Sequence, residues 1–492
     1  MRSSILALFL VLACTSLLPA EPSDAAINDI LSKTCDAWHA PGIAAAVVRD
    51  EKVYLSGVGV RQLGSDKRVT PDTLFGIGSC TKAFTATALA LLVDEGKADW
   101  DDLVRKHWPG FRLDDPLADR DVRLRDLLCH RIGLSRHDLL WYRAPWSIEE
   151  SVRRMAYLER SSSFRSTYEY NNLAYLAAGL AIGRIAKQPW HEFVQQRLFK
   201  PLKMDGAVFT SAAAQKAGNH ASPHGHNARG EVVVIPWYND DKQIRASGSI
   251  KASVRDLSQW LRFQLSGGKL DGKRLISAEN LEETHTPQIP VPLRAAGAIQ
   301  ASYGLGWHIA KYRGHAIQEH GGAVDGFRAR IILVPRKKLG LVVLTNLEDM
   351  GIVNAAGNNL LDHLLDLEPK DWSCFFTDEH NKAKAAETER LRKKLKRVPG
   401  TKPKDLAWYV GTYSEPAYGT LTITKKDGSL WLQWSRFHLR LTHLHYDTFI
   451  TPAKDLRLPV ALRSESAVFE MNEDGVIDTL RFLGRILTRD KK

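Results

Sequence analysis

A serine and a lysine three residues apart stand at the start of a long helical pattern. Ser79 and Lys82 follow two glycines, and apolar residues then recur at helical spacing as far as Glu95. Residues three apart on a helix share one face, so the hydroxyl and the amine would lie side by side. A serine hydroxyl becomes a good nucleophile when a partly desolvated amine removes its proton. The pattern therefore predicts a serine hydrolase whose nucleophile is Ser79.

The Ser-x-x-Lys spacing is weak evidence by itself, because it also occurs at Ser266 and Lys269. That second pair flanks two glycines in a polar stretch, which is typical of a surface turn. Cys80 offers a thiol as another nucleophile, but cysteine is among the residues most often buried as a small core side chain. Ser79 remains the predicted nucleophile, and its partners must come from other parts of the chain.

Two further polar patterns lie at the ends of predicted elements. Tyr170 and Asn172 precede a predicted helix, where Asn172 could be an N-cap alone or could act beside the Tyr170 hydroxyl in a cleft. His320 ends a predicted strand, which is also a common place for a purely structural histidine. Gly321 and Gly322 follow it and would let a substrate carbonyl approach the backbone closely.

The predicted elements place these residues between a sheet and a group of helices. Helices are predicted over residues 28–38, 79–95, 147–158, 172–186, 190–199 and 254–265. Strands are predicted over residues 42–48, 52–60, 303–310, 315–320, 327–334 and 341–344. Because the strands come from both ends of this region, we expect one mixed α/β domain with its active site where the sheet edge meets the helices.

Together, three motifs resemble those of the serine β-lactamase and penicillin-binding-protein superfamily: Ser79-x-x-Lys82, Tyr170-x-Asn172 and His320-x-Gly322. The tyrosine and histidine motifs occur nowhere else in the chain. The resemblance is to the group holding class C β-lactamases, D-alanyl-D-alanine carboxypeptidases, D-aminopeptidases and related esterases. It covers roughly residues 27–365, including the segments 127–134 and 201–204. It implies an α/β (α+β) fold with a central antiparallel sheet and a mostly helical lobe.

The resemblance also implies a role for each residue. Ser79 would attack a carbonyl while Lys82 and Tyr170 share the role of base, and Asn172 would orient Lys82 and the substrate amide. A free tyrosine titrates at about 10, so positive charge on Lys82 would have to favour ionised Tyr170, or the proton would move in concert. The backbone N–H groups of Ser79 and Ala323 would form the oxyanion hole.

His320 stands where most β-lactamases of this group have lysine. A lysine attracts a substrate carboxylate, whereas histidine titrates at about 6.5 and is often neutral. The resemblance therefore favours a peptidase, amidase or esterase, with Gly321 and Gly322 near the substrate and neither metal nor cofactor. Two alternatives stay open: a protein that binds penicillin or cell-wall peptides with little turnover, and a β-lactamase.

The first residues predict export. Arg2 precedes an apolar run over residues 5–18, which is too short for a comfortable membrane span of about twenty residues and fits a secretory signal. Cleavage after Ala20 would release a soluble periplasmic or extracellular protein. Cys14 offers the alternative of a lipidated first residue that would hold the protein at a membrane.

Charge is concentrated in one short segment. The chain has 492 residues and a net charge of +12, of which residues 381–404 carry +8, from ten lysines and arginines against Glu387 and Glu389. Such a run is typical of a solvated helix or linker, with an anionic membrane or cell-wall surface as the sharper alternative. A nucleic-acid partner is not expected. The scattered cysteines predict neither a disulfide scaffold nor a zinc site.

The remainder of the chain predicts a charged linker over residues 366–404, with a helix at 382–397, and a small all-β domain over residues 405–488. After the aromatic stretch at residues 406–413, short alternating runs lie at 419–424, 430–434, 449–451, 467–471 and 479–482. The domain resembles the lipocalin-like domain appended to some members of the family. Its aromatic residues predict a packed barrel core, with a ligand cavity as the alternative: Trp408, Tyr413, Trp431 and Trp434. Because such domains can cap a neighbouring subunit's cleft, a homo-oligomer is also expected.

Overall fold

The computed structural model describes residues 22–227, 229–239, 243–292, 298–452 and 458–490. The predicted signal at residues 1–20, with Cys14, lies outside these ranges. Within them, no helix is both long enough and apolar enough to cross a membrane.

An antiparallel sheet of eight strands is the centre of the first part of the chain, here called the sheet domain (residues 24–364). The strands of this domain are Gly42–Arg49 (β1), Lys52–Gly59 (β2), Phe75–Gly76 (β3), His224–His226 (β4), Val232–Val234 (β5), Lys251–Ala252 (β6), Lys269–Leu270 (β7), Lys273–Arg274 (β8), Ile289–Pro290 (β9), Ala298–Tyr303 (β10), His308–Tyr312 (β11), His315–Val324 (β12), Phe327–Val334 (β13) and Leu339–Thr345 (β14). The large sheet has the order β2-β1-β14-β13-β12-β11-β10-β9. Strands from both ends of the domain meet in it, which confirms the predicted fold class.

Helices cover both faces of the sheet. The α-helices of the described residues are Asp24–Trp38 (α1), Thr81–Asp94 (α2), Val104–His107 (α3), Pro116–Asp121 (α4), Leu124–Leu128 (α5), Ile148–Arg153 (α6), Asn172–Ala186 (α7), Trp190–Val194 (α8), Ser211–Lys216 (α9), Val254–Leu265 (α10), Ala278–His285 (α11), Met350–Leu364 (α12) and Trp372–Lys394 (α13). The helices α1 and α12 pack on one face, and α10 packs on the other. The helix α2 is buried all round from its first residue to Leu92, so it is the central helix of the lobe beside the sheet.

The predicted strand over residues 303–310 is two strands, β10 and β11, joined by a tight turn. Gly306 in this turn has a φ of +85°, which suits glycine and interrupts an extended strand. A Cβ added to Gly306 would lie 2.9 Å from the Cα of Ala83 in α2. The chain turns here because it packs directly against the nucleophile helix, a tertiary contact that sequence periodicity does not report.

The linker helix begins earlier than predicted, at Trp372 rather than at residue 382. Trp372 and Phe376 are buried in the core that contains α1 and α12, and the Asp371 side chain caps the helix by accepting the Cys374 N–H at 2.8 Å. The basic part of the segment is mostly exposed, and Arg390 is paired there with Glu387. The helix therefore combines a docked first turn with a solvated basic end.

The C-terminal domain is a closed antiparallel barrel. Its strands are Gly411–Glu415 (β15), Gly419–Lys426 (β16), Ser429–Trp434 (β17), Phe437–His445 (β18), Thr448–Ile450 (β19), Ser466–Met471 (β20), Ile477–Phe482 (β21) and Arg485–Arg489 (β22). The sequence patterns predict neither β18 nor β22, and residues 406–409 form a helical turn before β15. Tyr413 and Trp434 are buried in the barrel core, whereas Trp408 is 48% exposed. A packed core therefore accounts for the buried aromatic residues.

Candidate active site

The amine of Lys82 lies between the predicted nucleophile and two acceptors. Ser79 is in a short helical turn at the start of α2, and its Oγ is 3.1 Å from Lys82 Nζ. The amine donates to Asn172 Oδ1 at 2.8 Å and to the Ser247 carbonyl oxygen at 2.9 Å. A neutral amine has two hydrogens and one lone pair. With both hydrogens directed to these acceptors, the lone pair is left for the Ser79 hydroxyl.

The surroundings of Lys82 favour its neutral form. The side chain is fully buried, and this desolvation holds the pKa of Lys82 well below its usual value. The nearby Arg136 guanidinium lowers the pKa further, against an opposing effect of Asp138. Lys82 can therefore accept a proton from Ser79 at a pH where an exposed lysine could not.

Tyr170 contacts the same serine. Its hydroxyl hydrogen-bonds with Ser79, and its ring centroid is 4.8 Å from Lys82 Nζ and 4.9 Å from the Arg136 guanidinium carbon. Desolvation raises the pKa of Tyr170 more than the Ser79 hydrogen bond and the charge of Arg136 lower it. Burial thus favours the protonated form of Tyr170, and of the two expected routes, an ionised tyrosine or a concerted transfer, it supports the concerted transfer.

Asp138 orients the side chain of Asn172. Asn172 Nδ2 donates to Asp138 Oδ1 at 2.8 Å, which turns the amide oxygen toward Lys82. The N-cap of α7 is Asn171, whose side chain accepts the Ala174 N–H at 3.0 Å, so capping does not explain Asn172. The structure thus places Asn172 in the cleft.

Arg136 and Asp138 are site residues that sequence reasoning missed. Arg136 Nε donates to Asp138 Oδ2 at 2.7 Å, and Trp141 Nε1 donates to Asp138 Oδ1 at 2.9 Å. The available signal was the run of four polar residues from Ser135 to Asp138, directly after the segment 127–134 that carries part of the family resemblance.

His320 is buried and neutral in the wall of the cleft. Its Nδ1 is 2.6 Å from the Gly321 carbonyl oxygen, to which it must donate, so its Nε2 accepts from the Tyr303 hydroxyl at 3.0 Å. Burial lowers the pKa of His320 well below its usual value, and His308 and Lys82 lower it further. The site therefore has no permanent positive charge at the position where lysine would supply one.

The hairpin between β12 and β13 brings backbone to the nucleophile. Val324 and Phe327 pair across a two-residue turn, so they are the last hydrogen-bonded pair. Hydrogen-bonded pairs alternate with non-hydrogen-bonded pairs along an antiparallel ladder, so the next pair, Ala323 and Arg328, is not hydrogen-bonded. The Ala323 N–H therefore points away from β13. A Cβ added to Gly78 would lie 2.5 Å from Ala323 N. This packing sets the backbone of Ala323 beside the turn that carries Ser79, as the predicted oxyanion hole requires.

The predicted residues meet at one cleft of about 1170 Å³, lined by Ser79, Tyr170, Asn172, His320, Gly321, Gly322 and Ala323, with Lys82 buried beside them. The sequence pattern explains glycine at position 322 by access for the substrate, and the structure gives a second explanation. A Cβ added to Gly322 would lie 1.9 Å from the Ile77 carbonyl oxygen, so its missing side chain makes room for the nucleophile turn itself. Gly321 lines the cleft, and a Cβ added there would lie 3.1 Å from Met350 Cε.

Residues 27–364 match the family model described as Beta-lactamase. The chain belongs to the beta-lactamase family. The matched region contains the Ser79 and Lys82 pair, and a curated relative of the chain is named as a hydrolase. The chain is therefore a serine hydrolase of this family. Residues 395–488 match a domain of unknown function, DUF3471, which coincides with the barrel.

Curated relatives and solved structures resemble most of the chain. An unguisins hydrolase of Aspergillus campestris is 29% identical over 433 residues, which cover 82% of this chain and 78% of that protein. The octameric penicillin-binding protein homologue from Pyrococcus abyssi has a TM-score of 0.61 at 22% identity, over 94% of this chain and 99% of its own. The D-amino acid amidase from Ochrobactrum anthropi SV3 has a TM-score of 0.59 at 22% identity, over 70% of this chain and 97% of its own. The two structures support the fold.

The competing nucleophile and the second Ser-x-x-Lys pair have structural explanations. Cys80 is fully buried, its Sγ is 3.2 Å from the His320 carbonyl oxygen, and burial raises the pKa of its thiol to about 12. Ser266 follows α10 in a surface turn, where its Oγ accepts the Lys269 N–H at 3.3 Å. Neither the thiol nor this second serine is placed to act as a nucleophile in the cleft.

Proposed function

We propose that this serine hydrolase cleaves peptide, amide or ester bonds through an acyl-enzyme on Ser79. The observation that carries the proposal is the hydrogen-bond arrangement of Lys82. Two acceptors, Asn172 Oδ1 and the Ser247 carbonyl, direct the amine so that its lone pair faces Ser79 Oγ. A buried neutral amine at this distance meets the geometric requirement for a general base.

The proposed reaction has two halves. Ser79 Oγ attacks the substrate carbonyl carbon as Lys82 takes the hydroxyl proton, and the oxyanion is held by the N–H groups of Ser79 and Ala323. Tyr170, which keeps its proton, donates it to the leaving nitrogen or oxygen and recovers one from the Lys82 ammonium. Water then attacks the acyl carbon by the same steps in reverse, which releases the acid and restores Ser79.

The character of the cleft supports peptide, amide and ester substrates over β-lactams. Neutral His320 supplies no fixed charge for a substrate carboxylate, and a cleft of about 1170 Å³ is larger than a small ester needs. The resemblance to an unguisins hydrolase and to a D-amino acid amidase fold also supports cleavage of amide bonds.

We also propose that the protein is exported, on the basis of the signal pattern in residues 1–20, with Cys14 lipidation as an alternative. Mass spectrometry of the mature N-terminus tests both, because a diacylglyceryl group on Cys14 would contradict soluble export. A homo-oligomer is a further proposal, supported by the octameric relative from Pyrococcus abyssi, and sedimentation of the purified protein tests it.

A fluorophosphonate probe tests the nucleophile. The wild-type protein and a Ser266→Ala control should be labelled equally, and Ser79→Ala should not be labelled. Undiminished labelling of Ser79→Ala would contradict the proposal.

Turnover separates the classes of function. We expect sustained hydrolysis in a screen of peptides, D-amino-acid amides and short esters. An acyl burst without turnover would instead indicate a binding protein, and rapid hydrolysis of a chromogenic cephalosporin would indicate a β-lactamase.

A further inference from the structure

One side chain of the C-terminal barrel reaches the active-site cleft. Tyr418 lies in the turn between β15 and β16 and lines the same cleft as Ser79. Its hydroxyl oxygen is 3.0 Å from Nδ1 of His137 in the sheet domain. The barrel therefore forms part of the wall of the site.

The barrel holds Tyr418 rigidly from behind. The Glu415 carboxylate accepts the N–H of Tyr418 and, at 3.0 Å, the N–H of Ala417. Trp434 Nε1 donates to the Tyr418 carbonyl oxygen at 2.8 Å, and the two rings stack with centroids 5.5 Å apart. Both backbone polar groups and the ring of Tyr418 are thus fixed, and its hydroxyl is presented to the sheet domain.

Two arginines dock this turn onto the sheet domain. Arg154 of the sheet domain donates to the Ala417 carbonyl oxygen at 2.8 Å. Arg485 of the barrel donates to the Tyr157 carbonyl oxygen at 3.1 Å. The contact between Tyr418 and His137 is therefore part of a defined interface.

His137 lies between the two site residues that sequence reasoning missed, Arg136 and Asp138. Its φ is +42°, a left-handed conformation that is strained for a residue with a side chain. Such a conformation persists only where surrounding contacts hold it. Asp138 follows immediately, and its carboxylate accepts the Asn172 amide that directs Lys82.

We infer that Tyr418 is a positioning residue of the active site: by holding His137, it fixes Asp138 and, through Asn172, the base Lys82. The inference rests on the proposed acyl transfer through Ser79. Burial and Arg485 lower the pKa of His137, and burial raises that of Tyr418, so a neutral ring accepts from a protonated phenol. The barrel thereby contributes to the catalytic step as well as to the shape of the cleft.

Tyr418→Phe removes the hydroxyl and keeps the stacked ring. Loss of one hydrogen bond should lower kcat for hydrolysis of p-nitrophenyl acetate by about three- to tenfold, with KM changed by less than about twofold. Tyr413→Phe is the matched control, because that buried hydroxyl donates to the Tyr409 carbonyl oxygen at 3.0 Å within the barrel. The control should keep the wild-type kcat even if it lowers the melting temperature.

A double-mutant cycle tests the route through Asp138. In an Asp138→Asn background, Tyr418→Phe should cost less than about twofold in kcat, because the residue it positions is already altered. Full kcat in Tyr418→Phe, or losses that multiply in the double variant, would overturn the inference. Ser79→Ala, assayed in parallel, separates the positioning role of Tyr418 from the proposed acyl transfer through Ser79. An inactive Ser79→Ala beside a fully active Tyr418→Phe would overturn the role of Tyr418 and leave the acyl transfer supported.

Discussion

The amine of Lys82 lies 2.8 Å from the side-chain oxygen of Asn172, inside a fully buried part of the site. Asp138 accepts from the amide nitrogen of Asn172 and so decides which end of the amide faces Lys82. The direction of the Lys82 lone pair toward Ser79 thus depends on the Asp138 carboxylate. Among the described hydrogen bonds, this carboxylate accepts from Arg136, Trp141 and Asn172 and has none to Ser79 or Lys82.

The rate of acylation should rise with pH as Lys82 loses its proton, with a midpoint well below the usual lysine pKa. Arg136→Gln should move this midpoint to higher pH. It removes a cation that lowers the pKa of Lys82, and it leaves Asp138, which raises that pKa, without its arginine. Pre-steady-state acylation by an activated ester between pH 5 and about 10 measures the midpoint.

Arg143→Gln is the control for this experiment, because Arg143 pairs with Asp325 at 3.1 Å rather than with Asp138. Its midpoint should equal that of the wild type. A midpoint in Arg136→Gln that stays in place or moves to lower pH would contradict the assignment of Lys82 as the base.

His320→Lys should shift preference toward substrates with a carboxylate. The neutral histidine would be replaced by an ammonium, and a charge-assisted contact with a carboxylate contributes about 1.5–3 kcal/mol. We expect the ratio of kcat/KM for a carboxylate-bearing ester to that for its uncharged analogue to rise by at least about tenfold.

Tyr303→Phe tests whether charge is the cause of this shift. It removes the hydrogen bond to His320 Nε2 without adding a charge, so the ratio should stay within about twofold of the wild type. An equal rise in Tyr303→Phe would show that loosening of His320, and not charge, sets the preference.

Gly78→Ala should reduce kcat by at least about a hundredfold, because the new Cβ would collide with the Ala323 backbone proposed for the oxyanion hole. Gly267→Ala is matched to it in backbone conformation. Both glycines have positive φ, +50° and +64°, but a Cβ on Gly267 would meet no described atom within 4 Å.

Backbone strain should cost both variants about 1–2 kcal/mol of stability, and the collision with Ala323 should add to that loss in Gly78→Ala alone, as urea denaturation measures. Only Gly78→Ala should lose catalysis, as measured by kcat on the activated ester. Wild-type kcat in Gly78→Ala would show that the close approach of Gly78 to Ala323 has no catalytic role.

Iodoacetamide should leave the enzyme active. Cys374 is exposed and should be alkylated, whereas Cys80 is fully buried and burial raises its pKa to about 12, so little thiolate forms. Peptide mass spectrometry locates the label, and a Cys374→Ser variant provides the unlabelled control. Rapid labelling of Cys80 with loss of activity would contradict the burial of the nucleophile turn.

The sequence by itself determined the local features of this protein. The spacing of Ser79 and Lys82, the helix over residues 172–186 and the hairpin at residues 42–60 follow from short-range periodicity and turn chemistry. The three motifs in their chain order also led to the family and to the class of fold. These features depend on residues close together in the chain or on patterns that the family repeats.

Only the tertiary structure decided what depends on contacts between distant segments. It showed that Asp138 orients Asn172, that burial raises the pKa of Tyr170, and that Tyr418 of the barrel contacts His137. Proton affinity depends on desolvation and on charges that folding brings near, and no spacing in the chain reports them. The same reason explains the turn at Gly306 and the early start of α13: each follows from packing against a segment far away in sequence.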